Sequence, residues 1–211
     1  MMKYAFPKTL LLGTTNRKKI VELRPALEPL GFRLVDLSEM PDRIDVEETG
    51  ATFIENARIK ATAQAMHYGH WAIGEDSGLC VPALNGEPGV FSARYAGLGV
   101  GDEANNDKLL KEMVGLEGEK RAAYYVSTMC LASPDGKIIV ESEGQCWGRM
   151  LHQRRGSGGF GYDPLFEIVE TQKTFAELDV AEKSAISHRG QAILQFKAKL
   201  SHALSHFESI Q

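Results

Sequence analysis

The sequence predicts an α/β protein built around a mixed β-sheet with flanking helices. Two observations carry that prediction. The apolar run Thr9-Leu-Leu-Leu-Gly13 passes directly into a turn and then into a segment with apolar residues at helical spacing, a strand–loop–helix unit. Far along the chain, the stretches 121–133 and 137–147 read as two long strands around Pro134-Asp135-Gly136, the pattern of a hairpin. Strand–helix units favour parallel pairing and a hairpin demands antiparallel pairing, so one sheet holds both.

Taken in order, the helix after the first strand aligns Ile20, Leu23, Leu27 and Leu30 on one face and stops at Gly31, with Pro25 expected to kink or interrupt it. A second strand follows over 32–37. Thr52 and Glu55 form a capping box opening an alanine-rich helix that Gly69 closes. Residues 71–74 read as a third strand that gives way to a loop at Glu75-Asp76-Ser77-Gly78, a position where chemistry concentrates. A polar helix begins near Asp102 and carries Leu109, Leu110, Met113 and Val114. After the hairpin, Thr174 with Glu177 caps a short helix, and a last amphipathic helix holds Ile193, Phe196, Leu200, Leu204 and Phe207 in register. No repeat or linker interrupts the chain, so residues 1–211 read as one domain.

Composition narrows the function. The 24 Lys plus Arg against 28 Asp plus Glu give a net charge of -4, which leaves no general basic field for nucleic acid; a polyanionic ligand must be small and locally bound. Cys80, Cys130 and Cys146 are scattered and odd in number, fitting a reducing cytoplasm better than a disulfide framework or a zinc site. The apolar stretches of the N-terminus are broken by Pro7 and Lys8, too short for a signal sequence, and no run reaches the ~18 apolar residues of a membrane span. Glycine stands out at 21 of 211, and Gly156, Gly158, Gly159 and Gly161 cluster, as expected where backbone approaches something closely.

Four groups of residues suggest sites. Gly156–Gly161 spells G-S-G-G-F-G, formally a dinucleotide fingerprint, but Arg154-Arg155 precede it and Tyr162-Asp163-Pro164 follow it where a strand and a helix are required. A loop that lets a ring stack while amides meet polar atoms suits it better. Thr14, Thr15, Asn16 and Lys19 lie between a strand and a helix start, where free N–H groups, hydroxyls and the helix dipole suit phosphate; the competing reading makes Asn16 an ordinary N-cap beside solvated cations. One carboxylate from Glu47-Glu48 and one from Glu75-Asp76 can share a hard cation such as Mg²⁺. Lys183, His188 and Arg189 fall within seven positions and can flank an anion; the competing reading pairs Lys183 with Glu182 and has His188 cap or pack. Neither G-x-S-x-G nor H-E-x-x-H occurs, which argues against covalent catalysis.

Together these segments resemble the inosine triphosphate pyrophosphatase family. The resemblance rests on Thr14-x-Asn16-x-x-Lys19, Glu47-Glu48-Thr49-Gly50 leading to Phe53-Ile54-Glu55-Asn56-Ala57, Glu75 to Leu79, Pro88 to Tyr95, Gly159 to Pro164 and Glu182 to Arg189, in that order. It spans Leu10 to about Ala192. It implies an elongated fold of two lobes with a central cleft, Mg²⁺ as cofactor, and a cytoplasmic homodimer that binds neither nucleic acid nor membrane. It further implies hydrolysis of non-standard purine nucleoside triphosphates (ITP, dITP, XTP) to monophosphate and pyrophosphate.

Residue by residue, the resemblance implies that Thr14, Thr15, Asn16 and Lys19 hold the triphosphate, that Ser77 contacts phosphate, and that Asp76 is the catalytic carboxylate and a metal ligand. Glu48 is the better match for the second metal carboxylate, with Glu47 as the alternative. Phe160, Gly161, Tyr162 and Asp163 would form the base side of the pocket, Phe160 stacking on the purine between glycines that leave room for base and ribose. Lys183, His188 and Arg189 would close over base and phosphates. Many relatives carry Asp in place of Glu75 and Gly in place of Thr15. Two other classes compete: a pyrophosphatase of different base preference, and a nucleotide sensor that releases no pyrophosphate.

Overall fold

The computed structural model describes residues 7–208. Its strands are β1 (Thr9–Leu12), β2 (Arg33–Asp36), β3 (Ala72–Cys80), β4 (Ala122–Ala132), β5 (Ile138–Met150), β6 (Phe166–Ile168) and β7 (Lys173–Thr174). They form one sheet in the order β2-β1-β3-β4-β5-β6-β7. β1 pairs in parallel with both β2 and β3, whereas β6 pairs antiparallel with β5 and β7, so the sheet is mixed as expected. The helices are α1 (Arg17–Leu27), α2 (Phe53–Tyr68), α3 (Gly101–Glu112), α4 (Val180–Ile186) and α5 (His188–Glu208).

The chain divides into two compact units, Met1–Asp76 with Ser127–Gly144 and Gln191–Gln211, and Ser77–Val126 with Gln145–Gly190. In the first, the Leu10–Leu12 run of β1 is apolar because both faces of the strand are covered. Leu10 and Leu12 join Leu23 and Leu27 of α1 and Ile193, Phe196 and Leu200 of α5 in one core. Leu11, pointing the other way, joins Ala57, Ala61 and Ala65 of α2 in another. Alanine on α2 lets the helix lie directly on β3: a Cβ at Gly74 would sit 2.5 Å from the Ala61 nitrogen. The second unit packs Leu79, Leu109, Tyr125, Tyr162, Phe166 and Phe175 into its own core.

Several elements differ from the expectations. Helix α1 runs through Pro25 unbroken; the proline lies in its last turn, where only the Val21 carbonyl loses its donor, and a tight turn over 28–30 then ends at Gly31 with φ +85°. β3 does not stop at Gly74 but continues through Glu75-Asp76-Ser77-Gly78 to Cys80. α3 ends at Glu112, before Met113 and the exposed Val114. β6 and β7 were not expected, nor was α4, although Asp179 and Glu182 form a capping box at its start. The Thr52–Glu55 and Thr174–Glu177 boxes are both formed, the latter opening a single tight turn over Phe175–Glu177. In α5 the expected apolar register holds from Ile193 to Leu200; the Phe207 side chain lies outside the described residues.

Candidate active site

In the first unit the loop from Gly13 to Asn16 joins β1 to α1. Gly13 donates its amide to the Ile73 carbonyl at 2.8 Å, which anchors the loop to β3. The Asn16 Oδ1 accepts from the amides of Lys18 (3.0 Å) and Lys19 (3.4 Å), so Asn16 is the N-cap of α1, and the Thr14 hydroxyl accepts from the Asn16 amide at 3.1 Å. Thr15 is exposed. No acidic residue occupies the first turn of α1, which leaves Arg17, Lys18 and Lys19 beside the positive end of the helix dipole. Lys19 turns inward, its Nζ 2.5 Å from Glu75 Oε2.

Consecutive residues of a strand leave it on opposite faces, and this separates the two carboxylates of β3. Glu75 meets Lys19 and accepts from the Ser127 hydroxyl at 2.9 Å. Asp76 faces α2, where Lys60 Nζ donates to its Oδ1 at 2.8 Å and Asn56 Nδ2 to its Oδ2 at 3.3 Å. The same Lys60 ammonium donates to Glu48 Oε1 at 3.0 Å, so Glu48 and Asp76 converge on one cation, while Glu47 is exposed. Burial pushes the Asp76 carboxyl above its ordinary range, against the lowering pull of Lys60 and Lys19. Burial also opposes the Lys60 charge, but the carboxylates of Asp76, Glu48 and Glu75 overcome it and hold the ammonium more firmly than usual.

Asn56 and Lys60 were not singled out as site residues. Their four-residue spacing on a helix with a clear capping box places them on one face, and that signal was available in the sequence.

In the second unit Asp163 organises the glycine-rich loop. Its Oδ2 accepts from the Phe160 amide at 2.8 Å and from Lys183 Nζ at 2.6 Å. Lys183 comes from α4, is buried, and lies 4.6 Å from the centroid of the Phe160 ring; the Arg189 guanidinium lies 5.6 Å from the same ring. Arg189, buried at the start of α5, donates to the Ser77 hydroxyl at 2.9 Å. His188 stacks on Tyr125 with centroids 4.6 Å apart and planes at 10°. Gly161 is clamped by α3, its amide donating to Asp102 (2.9 Å) and its carbonyl accepting from Asn106 (2.8 Å), another pair four residues apart on one helix face.

Two details of the loop bear on the expected base pocket. The Tyr162 ring lies within the second unit's core and its hydroxyl donates to the Ser92 carbonyl at 2.8 Å, so its side chain braces the loop. Three of the glycines leave room for protein, since a Cβ at Gly156 would lie 2.7 Å from the Ala176 backbone, one at Gly158 3.0 Å from it, and one at Gly159 would overlap the Asp163 carboxylate, whereas one at Gly161 would meet nothing nearer than the Tyr125 hydroxyl at 3.9 Å. Gly156 and Gly159 also have φ of +83° and +70°.

The Ham1 family model matches residues 10–199 of the chain. The chain is similar to the dITP/XTP pyrophosphatase of Rhodopirellula baltica, with 50% identity over 191 residues covering 90% of this chain and 92% of that protein. Among solved structures, a HAM1 protein from Coxiella burnetii is similar with a TM-score of 0.85 and 38% identity, covering 92% of this chain and 98% of the other. A nucleoside-triphosphatase / dITP/XTP pyrophosphatase from Mycobacterium abscessus aligns with a TM-score of 0.74 and 41% identity, covering 88% and 96%.

Proposed function

The chain belongs to the Ham1 family, and from that premise we propose that it hydrolyses non-standard purine nucleoside triphosphates, ITP, dITP and XTP, to the nucleoside monophosphate and pyrophosphate, clearing them from the nucleotide pool. The observation that carries the reading is the convergence of Glu48 and Asp76 on Lys60, in a chain half identical to a dITP/XTP pyrophosphatase.

The substrate brings about four negative charges, and the residues divide according to which part of it they serve. Thr14, Thr15 and Lys19, with the α1 N-terminus that Asn16 caps, hold phosphate. Ser77 and Arg189 add donors and positive charge as pyrophosphate departs. Asp76 takes the proton of the attacking water at Oδ2, the oxygen with the longer of its two contacts. Phe160 supplies a stacking surface, while Asp163 and the Gly161 clamp fix its loop. His188, held flat against Tyr125, and Lys183 direct donors toward the 6-oxo edge that distinguishes hypoxanthine and xanthine from adenine.

The donor set fits Mg²⁺: Glu48 and Asp76 present hard oxygen ligands that already meet at one cation, the Lys60 ammonium. When bound, Mg²⁺ supplies charge neutralisation on the phosphates. Three buried, unbridged cysteines support a reducing cytoplasm as the place of action, and no helix among the described residues is long and apolar enough to cross a membrane. The reading includes a homodimer, tested by sedimentation.

Pyrophosphate release, measured with and without Mg²⁺ across ITP, dITP, XTP, GTP, ATP and dTTP, tests the assignment. The 6-oxo purines lacking a 2-amino group are expected to be turned over at least about tenfold faster than ATP and dTTP. Equal rates on all six would overturn the base assignment, and release that needs no divalent cation would overturn the metal assignment.

A further inference from the structure

Helix α2 presents Asn56, Lys60 and Gln64 at successive four-residue steps, so the three side chains follow one another along a single stripe. Asn56 and Lys60 are bonded to Asp76. Gln64, one turn further on, is 2% exposed, and its Cγ lies 3.5 Å from the point that a Cβ on Gly13 would occupy. Gly13 opens the loop that Asn16 closes.

Around Gln64 the buried face of α2 is alanine, at Ala57, Ala61 and Ala65. An apolar side chain would serve packing here without burying polar atoms. A carboxamide occupies the position instead, and its Oε1 is buried with no hydrogen-bond donor among the described residues. An unmet buried acceptor lowers the stability of the state that contains it, and that loss is recovered in any state that brings it a donor.

We infer that Gln64 is a positioning residue for the phosphate end of the site, an acceptor whose donor arrives when the Gly13–Asn16 loop settles around an anion. A deprotonated phosphoryl oxygen is itself an acceptor and cannot satisfy Oε1, so the donor is an N–H or hydroxyl of the loop, and Gln64 acts through the loop. A bond made only in the anion-bound arrangement favours that arrangement and strengthens anion binding by the same factor. The inference rests on the proposal that this loop holds the triphosphate.

Gln64→Met tests it, because methionine keeps the length and helix preference of glutamine while removing the acceptor. The probes are inorganic pyrophosphate and IMP, titrated separately by calorimetry, alongside ITP turnover and thermal melting of the nucleotide-free protein. The variant is expected to melt at the wild-type temperature or about 2–4 °C above it. It should bind pyrophosphate at least about fivefold more weakly and IMP within about twofold of wild type, with a raised KM for ITP and an unchanged kcat. Unchanged pyrophosphate affinity overturns the inference. So does a lower melting temperature, because the oxygen would then already be satisfied in the free protein, and so does equal weakening of pyrophosphate and IMP. If wild-type protein releases no pyrophosphate from ITP, the proposed function fails and the inference with it; if wild type does and Gln64→Met matches it, the inference alone fails.

Discussion

Glu75 and Asp76 are consecutive carboxylates with different surroundings, and the difference is the basis of the role proposed for Asp76. Glu75 is bonded to Lys19 and Ser127, whereas Asp76 shares Lys60 with Glu48 and has its pKa pushed upward by burial. Asp76→Asn preserves volume and the acceptor for Lys60 but removes the base, so turnover should fall well below about a tenth of wild type while the melting temperature stays near its original value. A variant retaining more than about a tenth of the rate would remove Asp76 from its assigned role. Phe160→Ala should raise KM for ITP through lost stacking of ~1–3 kcal/mol, roughly 5- to 150-fold, with kcat less affected. An unchanged KM would mean the purine stacks elsewhere. Glu48, Asp76 and Lys19 stood out in the sequence as residue types suited to phosphate and metal; the residues around them, Asn56, Lys60 and Ser127, did not, because helical spacing puts Asn56 and Lys60 on one face but only the folded chain brings that face and Ser127 to the carboxylates.

At the scale of elements, capping boxes, the hairpin and the apolar run of β1 were legible because each is a local pattern with a local cause. The continuation of β3 was not. Its second half, Glu75-Asp76-Ser77-Gly78, has the composition of a loop, and it remains a strand because Lys19, Ser127, Lys60 and Arg189 satisfy its polar side chains from other elements. The consequence is functional, since a strand between two neighbours holds Asp76 more rigidly than a loop would.

A second link between elements is the bidentate pair of Arg58 on α2 with Glu141 on β5. Its bond to Arg58 holds the Glu141 carboxyl below the usual range, so the pair stabilises the fold above the unfolded carboxylate pKa, and that contribution is lost as pH falls through the lowered value. Glu141→Gln should therefore lower the melting temperature at pH 7, and the gap to wild type should close in acid below about pH 4. A gap independent of pH would mean that Glu141 acts through packing alone.

For the whole molecule, the mixed α/β class was legible from one strand–helix unit and one hairpin, and the strand order was not, because pairing across long sequence separations leaves no local mark. The acidic net charge is compatible with an anionic substrate because the cations that matter, Lys19, Lys60, Lys183 and Arg189, are placed inward beside carboxylates or hydroxyls. The cysteines read as unpaired in the sequence are buried thiols: burial pushes Cys130 to about 12 and Cys146 to about 11, and raises Cys80. All three should resist iodoacetamide at pH 8 in the native protein and react on unfolding, as intact-mass measurement would register. Labelling of the folded protein would contradict their placement.

Cleavage between the α and β phosphates is read directly by phosphorus NMR of ITP incubated with the protein and Mg²⁺. IMP and pyrophosphate in equal amounts, with no IDP at any time, are the predicted products. IDP with orthophosphate would instead place cleavage between the β and γ phosphates and overturn the proposed reaction.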